Sequence, residues 1–231
     1  MPDDAERPIA PRRLFGRSKG KALRKHQTEL VSDLLPELSL DLSGPLDPAT
    51  LFAEPMRETR LEIGFGGGEH LIEAADKEPD VGFIGCEPFV NGVARLLSQI
   101  EKRGLKNIKL HRGDAIEAVD RLPDASLSRV YLFYPDPWPK RRQRKRRFVS
   151  EDALGRLARV MKKSAELRFA TDIDDYAAWT LARVNESPDF QWTAQAPADW
   201  LVPWQGWTRT KYEGKAIAAG RKPVYLSFMR G

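Results

Sequence analysis

The sequence predicts an α/β fold, a parallel sheet with helices on both faces. Three observations predict it. Strand-like apolar runs and amphipathic helical runs alternate five times between Thr59 and Val184, a pattern that builds parallel strands joined by right-handed crossovers. The first strand runs directly into Gly64-Phe-Gly-Gly-Gly68, a turn whose glycines let a ligand approach the backbone. Each of the five strands ends on an acid or has one within a few positions: Glu62, Glu87, Asp114, Asp136 and Asp172. Ligands on such sheets bind outside the carboxyl ends of the strands.

The elements follow in order. Residues 1 to about 20 are rich in proline and charge and poor in large apolar groups, so they are expected to lack structure alone. Leu23, Leu30, Val31 and Leu34 share a helix face between Lys21 and Leu35, with Pro36 expected to stop it. Asp47-Pro48 reads as an N-cap followed by proline at the first helical position, predicting a short helix through Leu51 and Phe52. Arg60 to Ile63 is the first strand, and a helix carrying Leu71, Ile72 and Ala75 follows the glycine turn. Val81 to Cys86 is the second strand, and Asn91 to Arg103 a longer helix closed by Gly104. Ile108 to His111, then a helix from Ala115 to Leu122, then Ser128 to Phe133 continue the alternation. Ser150 caps the next helix, with Glu151 and Asp152 in its first turn. Glu166 to Ala170 is the fifth strand, followed by a helix through Tyr176, Trp179 and Val184. Phe190 to Thr193 and Val224 to Met229 read as two further strands, separated by an aromatic loop with Trp200, Trp204 and Trp207 that is expected to pack internally. The chain thus divides into a basic arm, residues 1–24, and a single domain, residues 25–231.

Of the 231 residues, 31% are charged and 41% hydrophobic, as expected of a soluble globular chain. The net charge of +5 is concentrated in two places. Arg12, Arg13, Arg17, Lys19, Lys21, Arg24 and Lys25 form an acid-free arm, and seven of the eight residues from Lys140 to Arg147 are basic. Two such patches on a nearly balanced body point to a polyanionic partner. The single cysteine, Cys86, excludes an intrachain disulfide and fits a reducing, cytoplasmic setting. The N-terminus carries no apolar signal core, and no run approaches the roughly 18 apolar residues of a membrane span. His26, His70 and His111 are scattered, so no metal site is expected.

The strand ends describe a ligand. A dinucleotide fingerprint needs a small third residue where this chain has Glu69, and an acid there repels a pyrophosphate. A nicotinamide dehydrogenase is therefore disfavoured. Gly64, Gly66 and Gly68 suit a nucleoside with a cationic tail, which Glu62 is placed to attract. Glu87 can accept both ribose hydroxyls, and Asp114-Ala115 can line an adenine pocket. These features imply S-adenosylmethionine. The fourth strand delivers Pro135-Asp-Pro-Trp-Pro139. Its prolines are expected to hold Asp136 and Trp138 extended. Trp138 either stacks on an exposed base or plugs the core beneath the loop.

The Glu-x-Gly-x-Gly-x-Gly turn, Gly85-Cys-Glu87, Pro135-Asp-Pro-Trp-Pro-Lys140, the arginine-rich run, Thr171-Asp172 and Thr210-Lys-Tyr-Glu213 together resemble the bacterial tRNA (guanine-N7-)-methyltransferase family. The match runs from about Thr59 onward. The resemblance implies a Rossmann-like class I methyltransferase fold, with a mostly parallel seven-stranded sheet and an antiparallel last strand. It implies methylation of a variable-loop guanosine in tRNA, with S-adenosylhomocysteine as co-product. Glu62, Glu87, Asp114 and Asp136 would then hold the cofactor, and Asp136 would be catalytic. Lys140, Asp172, Thr210, Lys211, Tyr212 and Glu213 would contact tRNA, while Arg141, Arg142, Arg144, Lys145, Arg146 and Arg147 grip phosphates. Gln143 departs from the histidine common in the family. Another RNA substrate, or a non-catalytic RNA-binding module, remains the alternative. The sequence is compatible with a monomer or a homodimer.

Overall fold

In the computed structural model, Phe15, Gly16, Ser18 and residues 20–231 are described. The expectations for residues 1–14, Arg17 and Lys19, including four cations of the basic arm, lie outside them.

Seven strands form one sheet: β1 (Glu58–Ile63), β2 (Val81–Cys86), β3 (Ile108–His111), β4 (Leu127–Phe133), β5 (Met161–Thr171), β6 (Phe190–Trp192) and β7 (Val224–Arg230). Their spatial order is β3-β2-β1-β4-β5-β7-β6. The first five are parallel, and β7 runs antiparallel to both β5 and β6. β1 and β2 are almost wholly buried, the pattern of strands covered on both faces.

Among the described residues eight helices surround the sheet: α1 (Lys25–Leu38), α2 (Glu69–Lys77), α3 (Val90–Arg103), α4 (Ala115–Arg121), α5 (Glu151–Val160), α6 (Asp174–Glu186), α7 (Ala198–Leu201) and α8 (Lys211–Ala218). Apolar residues of α4, α5 and α6 pack on one face against Ile63, Val130, Leu132, Leu167 and Phe169. Those of α1, α2 and α3 pack on the other against Phe83, Leu110, Tyr131 and Phe133. Trp204 and Trp207 join this second face, as the aromatic loop was expected to do.

Three helix expectations fail. α1 begins at Lys25, so Leu23 lies before it. Pro36 does not stop α1, which continues to Leu38. Pro36 removes only the helical bond to the Ser32 carbonyl, and at the helix end the Ser39 hydroxyl donates to the Leu35 carbonyl at 2.7 Å. No helix follows Asp47-Pro48. Asp47 instead closes a turn, its Oδ1 accepting the Ala49 N–H and its carbonyl the Thr50 N–H, each at 3.0 Å. The side chain thus supplies the bond that a further helical turn would have made. Phe52, buried, fills the space above Gly82, where any β-carbon would overlap its ring.

Candidate active site

The carboxyl ends of β1, β2, β3 and β4 surround a cavity of about 410 Å³. Its apolar wall is Ile63, Cys86, Ala115 and Leu132, and its polar groups include Glu87, Asp114 and Asp136. Burial pushes the Cys86 thiol far up, so it is a neutral, apolar wall at physiological pH.

The floor is set by the glycine turn. Gly64, Gly66 and Gly68 all take positive φ, at 69°, 57° and 80°. Gly68 caps α2, and a β-carbon on it would stand 2.6 Å from Leu96 Cδ1. Gly92, in the first turn of α3, meets the turn so closely that a β-carbon would overlap the Gly66 carbonyl oxygen. No sequence expectation named Gly92. The signal was a glycine inside an otherwise sound helical run, where it carries a conformational cost.

Glu87 joins turn and helix. Its Oε2 accepts the Gly66 N–H at 2.7 Å and its Oε1 the Phe89 N–H at 2.9 Å. It is 8% exposed. Burial raises its pKa; the two backbone N–H groups oppose that, and the carboxylates of Asp136 and Glu62 add to it. Each oxygen keeps a lone pair for a further donor. Asp114 caps α4 by accepting the Ile116 N–H at 3.1 Å and also lines the cavity.

Two expected cofactor residues face elsewhere. Glu62 and Gly68 do not line the cavity. Strand side chains alternate; Ile63 faces the cavity and Glu62 is turned toward α2, bonded to His70 Nδ1 at 2.7 Å. His70 in turn packs between Tyr131, Phe133 and Trp207.

The proline loop arches over the mouth. Asp136 lines the cavity, and burial raises its pKa. Trp138 also lines it, at φ 41° rather than the expected extended conformation. A following proline disfavours the right-handed helical region most strongly, so the left-handed region stays accessible when contacts hold the ring. Here Arg146 lies 5.0 Å over the Trp138 ring and Phe15 packs edge-on at 6.3 Å. Trp138 is half-buried at the mouth, not a plug beneath the loop. Gly16 and Tyr212 complete the rim.

The basic run divides in two. Residues Arg141–Arg146 form a tight helical turn. Lys140, Arg141, Arg142 and Lys145 are exposed. Arg147 is not a phosphate contact: its side chain is fully buried, donating to the Pro137 carbonyl at 2.8 Å and to the Asp175 carboxylate, between the rings of Tyr176 and Trp179. A guanidinium placed there ties the proline loop to α6. Arg144 is likewise committed to Asp175 at 2.7 Å, and Arg146 to the rings of Phe15 and Trp138.

The expected tRNA contacts also split. Asp172 pairs with Arg221 at 2.5 Å. Thr210 caps α8 by accepting the Glu213 N–H at 3.2 Å. Glu213 is 2% exposed and accepts from Trp207 Nε1 at 2.7 Å and the Tyr225 hydroxyl at 2.5 Å. Lys211 and Tyr212 are exposed.

Among the described residues no cluster of His, Cys, Asp or Glu suits a metal, and no helix is long and apolar enough to cross a membrane.

Comparison with known proteins agrees with this layout. Residues 56–226 match the family model Methyltransf_4, described as "Putative methyltransferase". A tRNA (guanine-N(7)-)-methyltransferase of Nitrobacter winogradskyi is 53% identical over 222 residues, covering 95% of this chain and 86% of the relative. One of Rhodopseudomonas palustris (strain BisB18) is 53% identical, covering 99% and 92%. Among solved structures, precorrin-6y C5,15-methyltransferase from Geobacter metallireducens superposes with a TM-score of 0.52 at 14% identity, covering 76% of this chain and 81% of that one. That likeness concerns the fold.

Proposed function

Because this chain belongs to the tRNA (guanine-N7-)-methyltransferase family, we propose that the cavity at its strand ends carries out that family's reaction through Glu87, Asp114 and Asp136. The chain methylates N7 of a guanine in tRNA, with S-adenosylmethionine as methyl donor. When bound, that cofactor supplies a methyl group already activated on a sulfonium. Our reading adds the residues, the variable loop as the site in tRNA, and a cytoplasmic setting.

The cavity residues fit the cofactor. Glu87 is a half-satisfied, buried carboxylate at the second strand end, suited to two vicinal hydroxyl donors. Ile63, Cys86, Ala115 and Leu132 offer an apolar slot for adenine, with Asp114 at its edge. Gly64 leaves the backbone open on the cavity side, while the Tyr212 ring lies against Gly66. Glu62 acts from behind, holding His70 and through it the α2 face.

Guanine N7 is a lone pair with no proton to lose, so its attack needs no general base. Orientation can lower such barriers by roughly 7–11 kcal/mol. Asp136 accepts hydrogen bonds from the guanine N1–H and amino group and so fixes the ring. Methylation makes the ring positive, and a carboxylate held against it stabilises that developing charge more than the ground state. Asp136 itself is exposed at the rim, and partial burial raises its pKa. Trp138 and Tyr212 border the mouth as stacking surfaces. N7 lies in the deep groove of A-form RNA, so the target base is presented splayed out. Lys140, Arg141, Arg142, Lys145 and Lys211 hold the phosphates around it, while Thr210, Glu213 and the Asp172–Arg221 pair fix the rim.

The observation that carries the reading is Asp136 in the same cavity wall as Glu87 and Asp114. Its test uses methyl-labelled S-adenosylmethionine and two unmodified tRNA transcripts, one with guanosine in the variable loop and one with adenosine there. Label in 7-methylguanosine from the first alone is expected. Label from both overturns the variable-loop assignment.

A further inference from the structure

A second cavity, of about 250 Å³, opens on the α2 face of the sheet, away from the strand ends. Its lining includes Arg60, Lys77, Arg129, Arg168, Glu78 and Thr208. Arg60 and Arg129 are register partners on β1 and β4, and Arg129 faces Glu166 on β5. Three charged side chains therefore lie in one row across the sheet.

The carboxylates are unevenly shared: Arg60 has two, Glu58 and Glu78, while Arg129 and Arg168 divide one. Arg60 is consumed: it bonds Glu58 at 2.8 Å, Glu78 at 2.6 Å and the Tyr131 hydroxyl at 3.3 Å. Arg129 and Arg168 share one carboxylate, both reaching Glu166 Oε2 through Nε, at 3.1 and 2.8 Å. The other Glu166 oxygen is taken by the Ser227 hydroxyl at 2.7 Å. The Arg129 Nε is buried without hydrogen-bond geometry to any described residue. The Nη ends of both arginines make no hydrogen bond to a described residue, and Arg168 stacks 5.2 Å over Trp204. Burial lowers the Arg168 pKa, and the Arg129 charge lowers it further. Lys77 stands exposed at the edge. Two partly buried guanidinium forks thus share one carboxylate through Nε and leave their Nη donors unfilled.

We propose that this groove is a phosphate-binding subsite, in which the Nη ends of Arg129 and Arg168 grip the anion bidentately and Lys77 and the Thr208 hydroxyl close over it. Planar forks match phosphate oxygens in geometry as well as charge. The occupant is a phosphate group, from the tRNA backbone or free in solution. Gln205, Gly206 and Thr208 line this groove and Tyr212, four residues on, lines the larger cavity, so one short segment borders both. The subsite rests on the groove alone; only a tRNA source for its phosphate rests on the function proposed above.

The test titrates the full chain with inorganic phosphate, ionic strength held fixed with chloride, and follows tryptophan fluorescence through Trp204. A saturable change is expected, weakened several-fold in Lys77→Gln, whose side chain is exposed, and lost in Arg168→Gln. Displacement by tRNA assigns the phosphate to the backbone; saturable binding without displacement assigns it to the free anion. A response equal to the chloride control, or one unchanged in both variants, overturns the proposal. No methyl transfer is measured, so failure here leaves the catalytic reading standing, and an inactive enzyme that binds phosphate leaves the subsite standing.

Discussion

The Glu87 carboxylate accepts the Gly66 N–H at 2.7 Å across 21 residues of chain. One side chain at the end of β2 thus fixes the turn that leaves β1, and the same side chain faces the cavity. Glu87→Ala leaves two backbone donors unpaired, and an unsatisfied buried polar group costs about 1–3 kcal/mol. S-adenosylhomocysteine affinity, read by calorimetry, is expected to fall at least tenfold, with a lower Tm. Wild-type affinity should also depend on pH. The folded Glu87 pKa lies above the ordinary carboxylate value, so the acceptor form is lost as pH falls through that raised value. Binding should therefore weaken at a higher pH than an ordinary glutamate would give.

Asp136→Asn keeps the size and one acceptor but removes the charge. Removing one such transition-state contact elsewhere costs about 10²–10³ in rate. Single-turnover methylation is expected to slow by that order, with tRNA Kd changed less than threefold. Burial raises the folded Asp136 pKa; activity is carried by the ionised form and is lost as pH falls through that pKa. The wild-type profile of kcat should show an acid limb that the Asn variant lacks.

Arg147 and Arg142 are five residues apart in one basic run, yet substitutions should separate them. Arg147→Met breaks contacts to Pro137 and Asp175 and should lower Tm, at about 1–3 kcal/mol for a lost charge-assisted bond, with little change in salt dependence. Arg141→Ala with Arg142→Ala should leave Tm alone and reduce the slope of log K for tRNA against log salt by about one per lost phosphate contact.

Gly92→Ala puts a methyl group against the Gly66 carbonyl. Overpacking of this kind costs about 1–3 kcal/mol. Because the displaced atom belongs to the glycine turn, cofactor affinity should fall along with Tm. Gly155→Ala, where a β-carbon meets nothing within 4 Å, is the control and should be neutral or stabilising.

Periodicity located every strand, most plainly β2, which is buried on both faces and written as a local apolar run. It missed what distant partners decide. Trp138 is left-handed because Arg146 and Phe15 hold its ring. A count of charges placed Lys140 to Arg147 on one track, but Asp175 and two aromatic rings, some 30 residues later, draw Arg147 inward. Strand-end acids were legible as a set. Which face each one takes follows from the pleat, and that turned Glu62 toward His70.

β7 lies between β5 and β6 although it follows both in sequence. A nascent chain leaving the ribosome therefore presents β5 with a bare edge, and β6 has no neighbour, until the final strand has been made. Tyr225, which closes the hydrogen-bond cluster around Glu213, arrives with that strand. Until then an unpaired, apolar strand edge is open to other chains. Synthesis stalled anywhere before Val224 should yield aggregation-prone fragments, and the rim segment from Trp207 to Glu213 should be the last part of the enzyme to take shape.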